Sequence, residues 1–228
     1  MFAARARPVL GLLAIALSLA GCADFDDPAA AHGLTRGDLV SELAAQLGGS
    51  SALTYRATYT LAGGASGSIA QGQHPARAAY RYPGGELLVT GDKTTQCVRT
   101  TCAVAATGGP PSPAFAVVQR AGLVNPSAVQ DLLNAARLDP DMTVEQHDTT
   151  MAGRHATCVQ LGNVDKAETG RFSACVTSDG VLGSFSGTLA GREVDVALTD
   201  YADKVAAGAF DPPRGAKLTG TPAAAAAR

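Results

Sequence analysis

The chain has 228 residues, of which 18 are basic and 20 acidic, with no tryptophan and few aromatic residues. A weakly acidic chain without a basic run argues against nucleic acid as a partner, because that binding rests on clustered Lys and Arg. Any core must then be built mainly from Leu, Val and Ala, in about one domain's length of chain.

Residues 1–8 carry Arg5 and Arg7, and residues 9–20 are apolar apart from Gly11 and Ser18, ending in Leu19-Ala20-Gly21-Cys22. A charged start, a short apolar stretch and small residues at its end are the parts of an export signal. The stretch falls short of the ~20 apolar residues a spanning helix needs. Residues 1–21 are therefore expected to be removed. Leu-Ala-Gly-Cys resembles the bacterial lipobox, in which the thiol receives a diacylglyceryl group before cleavage. One buried acyl chain holds a protein only marginally and two hold it firmly, at ~0.8 kcal/mol per methylene. A diacylglyceryl-Cys22 implies a lipid-anchored protein on the extracytoplasmic face of the cell membrane. Loss of Arg5 and Arg7 from the 18 basic residues leaves 16 against 20 acidic, a formal charge of −4. Residues 22–33, small and polar without periodicity, read as a flexible tether from the lipidated cysteine.

A helix is expected from about Thr35 to Leu47, with Leu39, Val40, Leu43, Ala44 and Leu47 on one face and Gly48-Gly49 as its stop. The period then changes to two. Tyr55, Ala57, Tyr59 and Leu61 alternate with Arg56, Thr58 and Thr60, which separates an apolar from a polar face. Gly63-Gly64 leads to a strand near residues 66–71. Ala78, Tyr80 and Tyr82 mark a third strand, and Pro83-Gly84-Gly85 leads to a fourth at residues 86–90, giving an antiparallel meander. Two short helices follow, opened by Ser112-Pro113 and by Asn125-Pro126, where Asn caps and Pro takes the first helical position. Strands resume at about 143–151, 154–161, 170–178, 181–189 and 193–198, with turns that include Asp179-Gly180. The body is expected to span 34–218 as a single domain, with a Pro- and Ala-rich disordered tail over 219–228.

Cys97, Cys102, Cys158 and Cys175 remain besides Cys22. An even number in an exported chain points to two disulfides, with three possible pairings. If 163–169 is the turn, residues whose numbers sum to about 333 face each other. Cys158 then lies opposite Cys175, within the alpha-carbon range a disulfide accepts. Val159 and Leu161 share one face with Phe172, Ala174 and Val176, and both cysteines take the other. Cys97 and Cys102 bracket a second turn. No Cys-x-x-Cys or histidine cluster supports a metal site.

The expectation is that the protein is not an enzyme and uses no cofactor. Gly183-Ser184-Phe185-Ser186-Gly187 puts Phe185 where a nucleophile would stand and reads as a strand. There is no phosphate loop, dinucleotide fingerprint or His-Glu-x-x-His. The four histidines are scattered, and a triad drawn from Asp200, His155 and a serine has no motif behind it. The tyrosine row, Tyr55, Tyr59, Tyr80 and Tyr82, suits either a packed core or a cavity wall with hydroxyls at a wet rim. Residue types leave both open.

The order of lipobox, tether, helix, meander, helical insertion and second meander resembles the LolA/LolB-like superfamily, closest in layout to actinobacterial LprG/LppX-type lipoproteins. Gln71-x-x-x-Pro75 to Pro83-Gly84-Gly85, and Phe210-Asp211-Pro212-Pro213-Arg214-Gly215-Ala216-Lys217 near the end, carry the likeness. It implies an α+β fold: a curved antiparallel sheet forming an incomplete β-barrel, with helices packed on or plugging its concave face. It also implies a lipid or other apolar ligand held in that cavity. Inward residues of the first half would be Tyr55, Tyr59, Leu61, Tyr80, Tyr82, Leu87 and Val89. Those of the second would be Val159, Leu161, Phe172, Val176 and Phe185. The alternative is a sensory or protein-interaction lipoprotein with a filled core and an envelope protein partner. Cavity volume separates the two.

Overall fold

In the computed structural model, residues 35–91, 93–106 and 113–220 are described; the signal, Cys22, the tether and the last part of the tail lie outside them. The first helix, α1 (Arg36–Gly49), starts where Thr35 accepts from the Asp38 amide while the Asp38 carboxylate accepts from Thr35 in return. This reciprocal cap satisfies amides that the first helical turn leaves free. The helix runs through the two glycines expected to stop it and ends at Ser50. Gly48 lies directly under the side-chain amide of Gln130 from a neighbouring helix.

The N-terminal meander consists of β1 (Tyr55–Leu61), β2 (Ser66–Gln73), β3 (Ala76–Tyr82), β4 (Gly85–Thr90), β5 (Lys93–Val98) and β6 (Thr101–Ala106). Helices α2 (Pro113–Arg120) and α3 (Pro126–Ala136) follow, the latter capped by Asn125 on the Ser127 amide. The C-terminal meander is β7 (Thr143–Met151), β8 (Arg154–Gly162), β9 (Arg171–Thr177), β10 (Leu182–Leu189) and β11 (Arg192–Ala202). Pairing of β1 with β11 joins the meanders into one curved, unclosed sheet of twelve strands, β12-β6-β5-β4-β3-β2-β1-β11-β10-β9-β8-β7, where β12 is Lys217–Gly220. At the junction the register slips between Thr58 and Tyr59. Thr199, the residue skipped there, donates its hydroxyl to the Thr58 carbonyl at 3.1 Å. Such bulges sharpen local twist and help a sheet curl.

The main core lies between the concave face of this sheet and the helices: Val40, Leu43 and Leu47 of α1 and Val129 and Leu133 of α3 are at most 1% exposed. A second, smaller cluster lies on the outer face. After β11 the chain crosses back over the N-terminal meander as a strap that presses Phe210 onto Ala70, Ala79 and Leu88. The Arg77 guanidinium stands 4.3 Å from the Phe210 ring centre, and Arg81 donates to the Ala209 carbonyl while pairing with Glu86 at 2.9 Å. The strap ends as β12, parallel to β6, which covers the edge that β6 would otherwise present. Strand β12 ends two residues past the expected end of the body.

Cys158 faces Cys175 in the β8–β9 register, and Cys97 faces Cys102 in β5–β6; both pairs are disulfide-bonded. Both bonds lie outside the main core, the first beside Met151 and Ala156. A bond joining residues 17 apart in sequence removes about 3 kcal/mol of unfolded-chain entropy at that loop length. A bond joining residues 5 apart removes about 2 kcal/mol. The Cys158→Ala/Cys175→Ala chain is accordingly expected to lose about 3 kcal/mol in urea unfolding, more than the Cys97→Ala/Cys102→Ala chain. The reverse order would show that residual structure in the unfolded chain, rather than loop closure, sets the effect.

Candidate functional site

The strand registers bring the twelve predicted inward residues onto one concave surface. Tyr55, Tyr59 and Leu61 come from β1, Tyr80 and Tyr82 from β3, Leu87 and Val89 from β4. On the other side of the seam stand Val159 and Leu161 from β8, Phe172 and Val176 from β9, and Phe185 from β10. Apolar side chains of the helices meet them there. Nine of the twelve are at most 3% exposed; Tyr80, Tyr82 and the partly buried Val89 are the others.

Tyr59 is the centre of this arrangement. It is 1% exposed and its hydroxyl donates to the Leu182 carbonyl at 2.9 Å, so its one polar group is paired inside protein. Burial pushes its phenol well above the ordinary range, with Tyr55 and Tyr80 nearby adding to the rise. Burial likewise raises Tyr55, which stacks against Tyr201 with ring centres 6.2 Å apart, and pushes Tyr80 up to about 12. A wet cavity would leave such phenols near their usual value.

Where the helices meet the sheet at the mouth, a cleft of about 300 Å³ remains. Leu47, Tyr80, Phe115 and Pro126 give it an apolar wall, and Gln71 and Gln130 add amides. Phe115 meets Tyr80 edge to face at 5.3 Å, which fixes α2 against β3. The cleft is at the lower limit of pockets that hold small ligands, roughly 300–1,000 Å³. Sequence reasoning placed Tyr80 but not its neighbours, because Leu47, Gln71 and Gln130 come from three distant elements and share no motif.

The groups considered for catalysis are not assembled. Asp200 is held by Arg56 at 2.7 Å on the outer face, whereas His155 sits on β8, three strands away from β11. Ser184 and Ser186 flank Phe185 within β10, a continuous strand rather than a strained elbow. The four body cysteines are consumed in disulfides, and no group of metal-binding side chains occurs among the described residues. No described helix is long and apolar enough to cross a membrane.

No protein-family profile matches the sequence, and no curated protein is significantly similar to it. Solved structures that the chain matches include the following two. One is an uncharacterised conserved protein from Thermus thermophilus, with a TM-score of 0.47 and 9% identity over 80% of this chain and 99% of that one. The other is LprF from Mycobacterium bovis, with a TM-score of 0.36 and 15% identity over 78% of this chain and 98% of that one.

Proposed function

We infer that this is a non-enzymatic envelope lipoprotein, anchored through Cys22, whose filled half-barrel binds a partner through its outer surface rather than holding a lipid inside. The observation that carries this reading is the packing of the concave face. Phe185, Leu87 and Val159 are fully enclosed and Tyr59 hydrogen-bonds within protein. An acyl chain would have to displace α1 or α3, and their apolar residues would then lose burial worth ~1.5–3 kcal/mol each. The anchor supplies what a surface binder needs, since a tether of about a dozen residues lets the body reach along the membrane plane.

Native mass spectrometry of the body made in an actinobacterial host is expected to show the bare polypeptide mass, unchanged on adding phospholipid. A stoichiometric lipid adduct that survives purification would overturn the filled-core reading and restore a cavity. A parallel digest of the membrane-extracted protein tests the anchor: the N-terminal peptide should begin at a diacylglyceryl-modified Cys22.

The mouth cleft favours one narrower reading beside this one. Its apolar wall and two amides suit the end of a single small amphiphile. A Gln130→Ala chain, changed at a half-buried amide of the cleft, would then lose binding of such a probe without losing its fold.

A further inference from the structure

The two edges of the sheet are built differently. At one, the strap ends as β12, which leaves an edge only four residues long. The other is β7, a nine-residue strand without proline, glycine or lysine, paired with β8 in an unbroken register. Natural sheets ordinarily blunt an edge of that length. The two-residue turn Ala152-Gly153, with both φ values positive, makes Met151 and Arg154 a hydrogen-bonded pair. Odd-numbered residues of β7 therefore bond to β8, and Val144, Gln146, Asp148 and Thr150 turn their N–H and C=O groups to the open side. Among the described residues none of these groups has a partner.

The edge is open from both sides of the sheet. No residue of β7 is buried, not even Gln146, Asp148 and Thr150 on the concave side, so the helices stop short of it. Val144, opposite Leu161, marks that side as the concave one; Glu145 and His147 face outward, the latter opposite Cys158. These two and Asp148 are the charged or titratable groups of the strand, and Asp148 accepts from the Thr157 hydroxyl at 2.9 Å. Among the described residues, neither Glu145 nor His147 makes a side-chain hydrogen bond or ion pair.

We propose that β7 pairs antiparallel with β7 of a second copy of this chain, about a twofold axis at Gln146. Side-chain chemistry selects both the occupant and the register. A twofold axis normal to the joined sheet keeps outward residues opposite outward ones, so each possible register is centred on one residue. Those centred on Gln146, His147 and Asp148 pair seven residues or more of each strand. Centring on Asp148 opposes it to the partner's Asp148, a like-charge pair that destabilises. Centring on His147 opposes two imidazoles and leaves Glu145 against a threonine. Centring on Gln146 puts Glu145 opposite the partner's His147 and His147 opposite the partner's Glu145, a complementary pair on each side of the axis. It also sets Thr143 opposite the partner's Thr149, a pair whose hydroxyls can bond. Gln146 then exchanges both backbone bonds with its counterpart, and Glu145 and His147 take the non-hydrogen-bonded positions, where facing side chains lie closest. A second copy brings the matching group to both positions at once, which an unrelated strand does not. One strand from each copy makes a small interface beside the ~1,200–2,000 Å² of stable complexes, so the dimer forms at high local concentration. This adds a partner at the sheet edge to the surface binding inferred above and does not depend on what fills the core.

The test uses the compact body from Leu34 onward, followed by sedimentation equilibrium and by amide chemical shifts up to millimolar concentration. A reversible monomer–dimer equilibrium is expected, with concentration-dependent shifts confined to β7 and β8. Glu145→Lys sets a cation against the partner's His147, and His147→Glu sets a new carboxylate against the partner's Glu145, so each alone should weaken the dimer about tenfold. The double variant Glu145→Lys/His147→Glu puts opposite charges face to face again and should regain the parent's affinity, which registers centred on His147 or Asp148 would not allow. Gln146→Pro removes an outward N–H, a change an edge strand tolerates, and should abolish the dimer. An amide spectrum unaltered outside β7 and β8 shows that each variant is folded. A chain that stays monomeric at millimolar concentration overturns the proposal, as does a dimer whose shifts lie at β12 or in the mouth cleft, or one that the double variant fails to restore. Shifts of β7 in a monomeric body on adding a peptide of residues 23–33 would give the edge to the tether instead. Lipid found in the interior would sink the filled-core reading and leave this interface standing, so the two can fail separately.

Discussion

Raising the pH from about 10 to about 12 should unfold this protein more steeply than its surface charge would suggest, by about 4 kcal/mol of stability per pH unit. The cause is the set of three buried phenols, Tyr55, Tyr59 and Tyr80, whose folded-state values are raised above 10.0 mainly by burial. In the unfolded chain they lose protons as the pH passes 10, whereas in the folded protein they keep them. The unfolded state then binds fewer protons, so stability fully present below pH 10 is lost as the pH rises. Each phenol contributes about 1.4 kcal/mol per unit, and Tyr80 ceases to add near its own value of about 12. Tyrosinate absorbance followed beside circular dichroism checks this. Of the five tyrosines, Tyr82 and Tyr201 should ionise first, somewhat above 10. The other three should ionise only as the sheet signal collapses. Five phenols titrating together near pH 10 with the sheet intact would mean a hydrated interior, and the filled-core reading would go with it.

Replacing Phe210 with Ala should cost about 3–5 kcal/mol, the range for emptying a buried aromatic site. Phe210 is 6% exposed and holds the strap on Ala70, Ala79 and Leu88, with Arg77 over its ring. The loss should not be confined to the site. Without this clamp β12 has only its four-residue pairing with β6 to hold it, and the β6 edge becomes free to pair with other chains. Denaturant unfolding gives the energy, and hydrogen exchange of the β6 amides gives the consequence. Phe210→Leu should keep most of both. A Phe210→Ala chain within about 1 kcal/mol of the parent, with β6 protection unchanged, would mean that the strap is held by backbone pairing alone.

The same strap shows where sequence reasoning stops. The phrase from Phe210 to Lys217 stands out in the sequence for its prolines and glycine, yet nothing in it indicates that it lies on the outer face or adds a parallel strand. That outcome depends on a patch made by Ala70, Ala79 and Leu88, three residues on three strands. The join of β1 to β11 is of the same kind, since Tyr59 and Leu198 become neighbours only after both meanders exist. Gly48 is a third case: read locally it is a helix stop, and in the structure it lies within α1 beneath the side chain of Gln130.

The candidate site divides along the same line. Alternation of Tyr55, Ala57, Tyr59 and Leu61 determined which side of β1 is apolar, because side chains on a strand reverse with each residue. The turn at 163–169 determined that Cys158 meets Cys175, because a hairpin's register is set by its own loop. The sequence by itself thus determined the strands of the two meanders, their faces and this disulfide, all of them matters of near neighbours. Only the tertiary structure decided what the apolar faces touch. An inward row of tyrosines, leucines and valines is equally suited to a ligand and to a helix, since both bury the same apolar area. Val40, Leu43, Leu47, Val129 and Leu133 reach that face from helices far away along the chain and pack into the same core cluster.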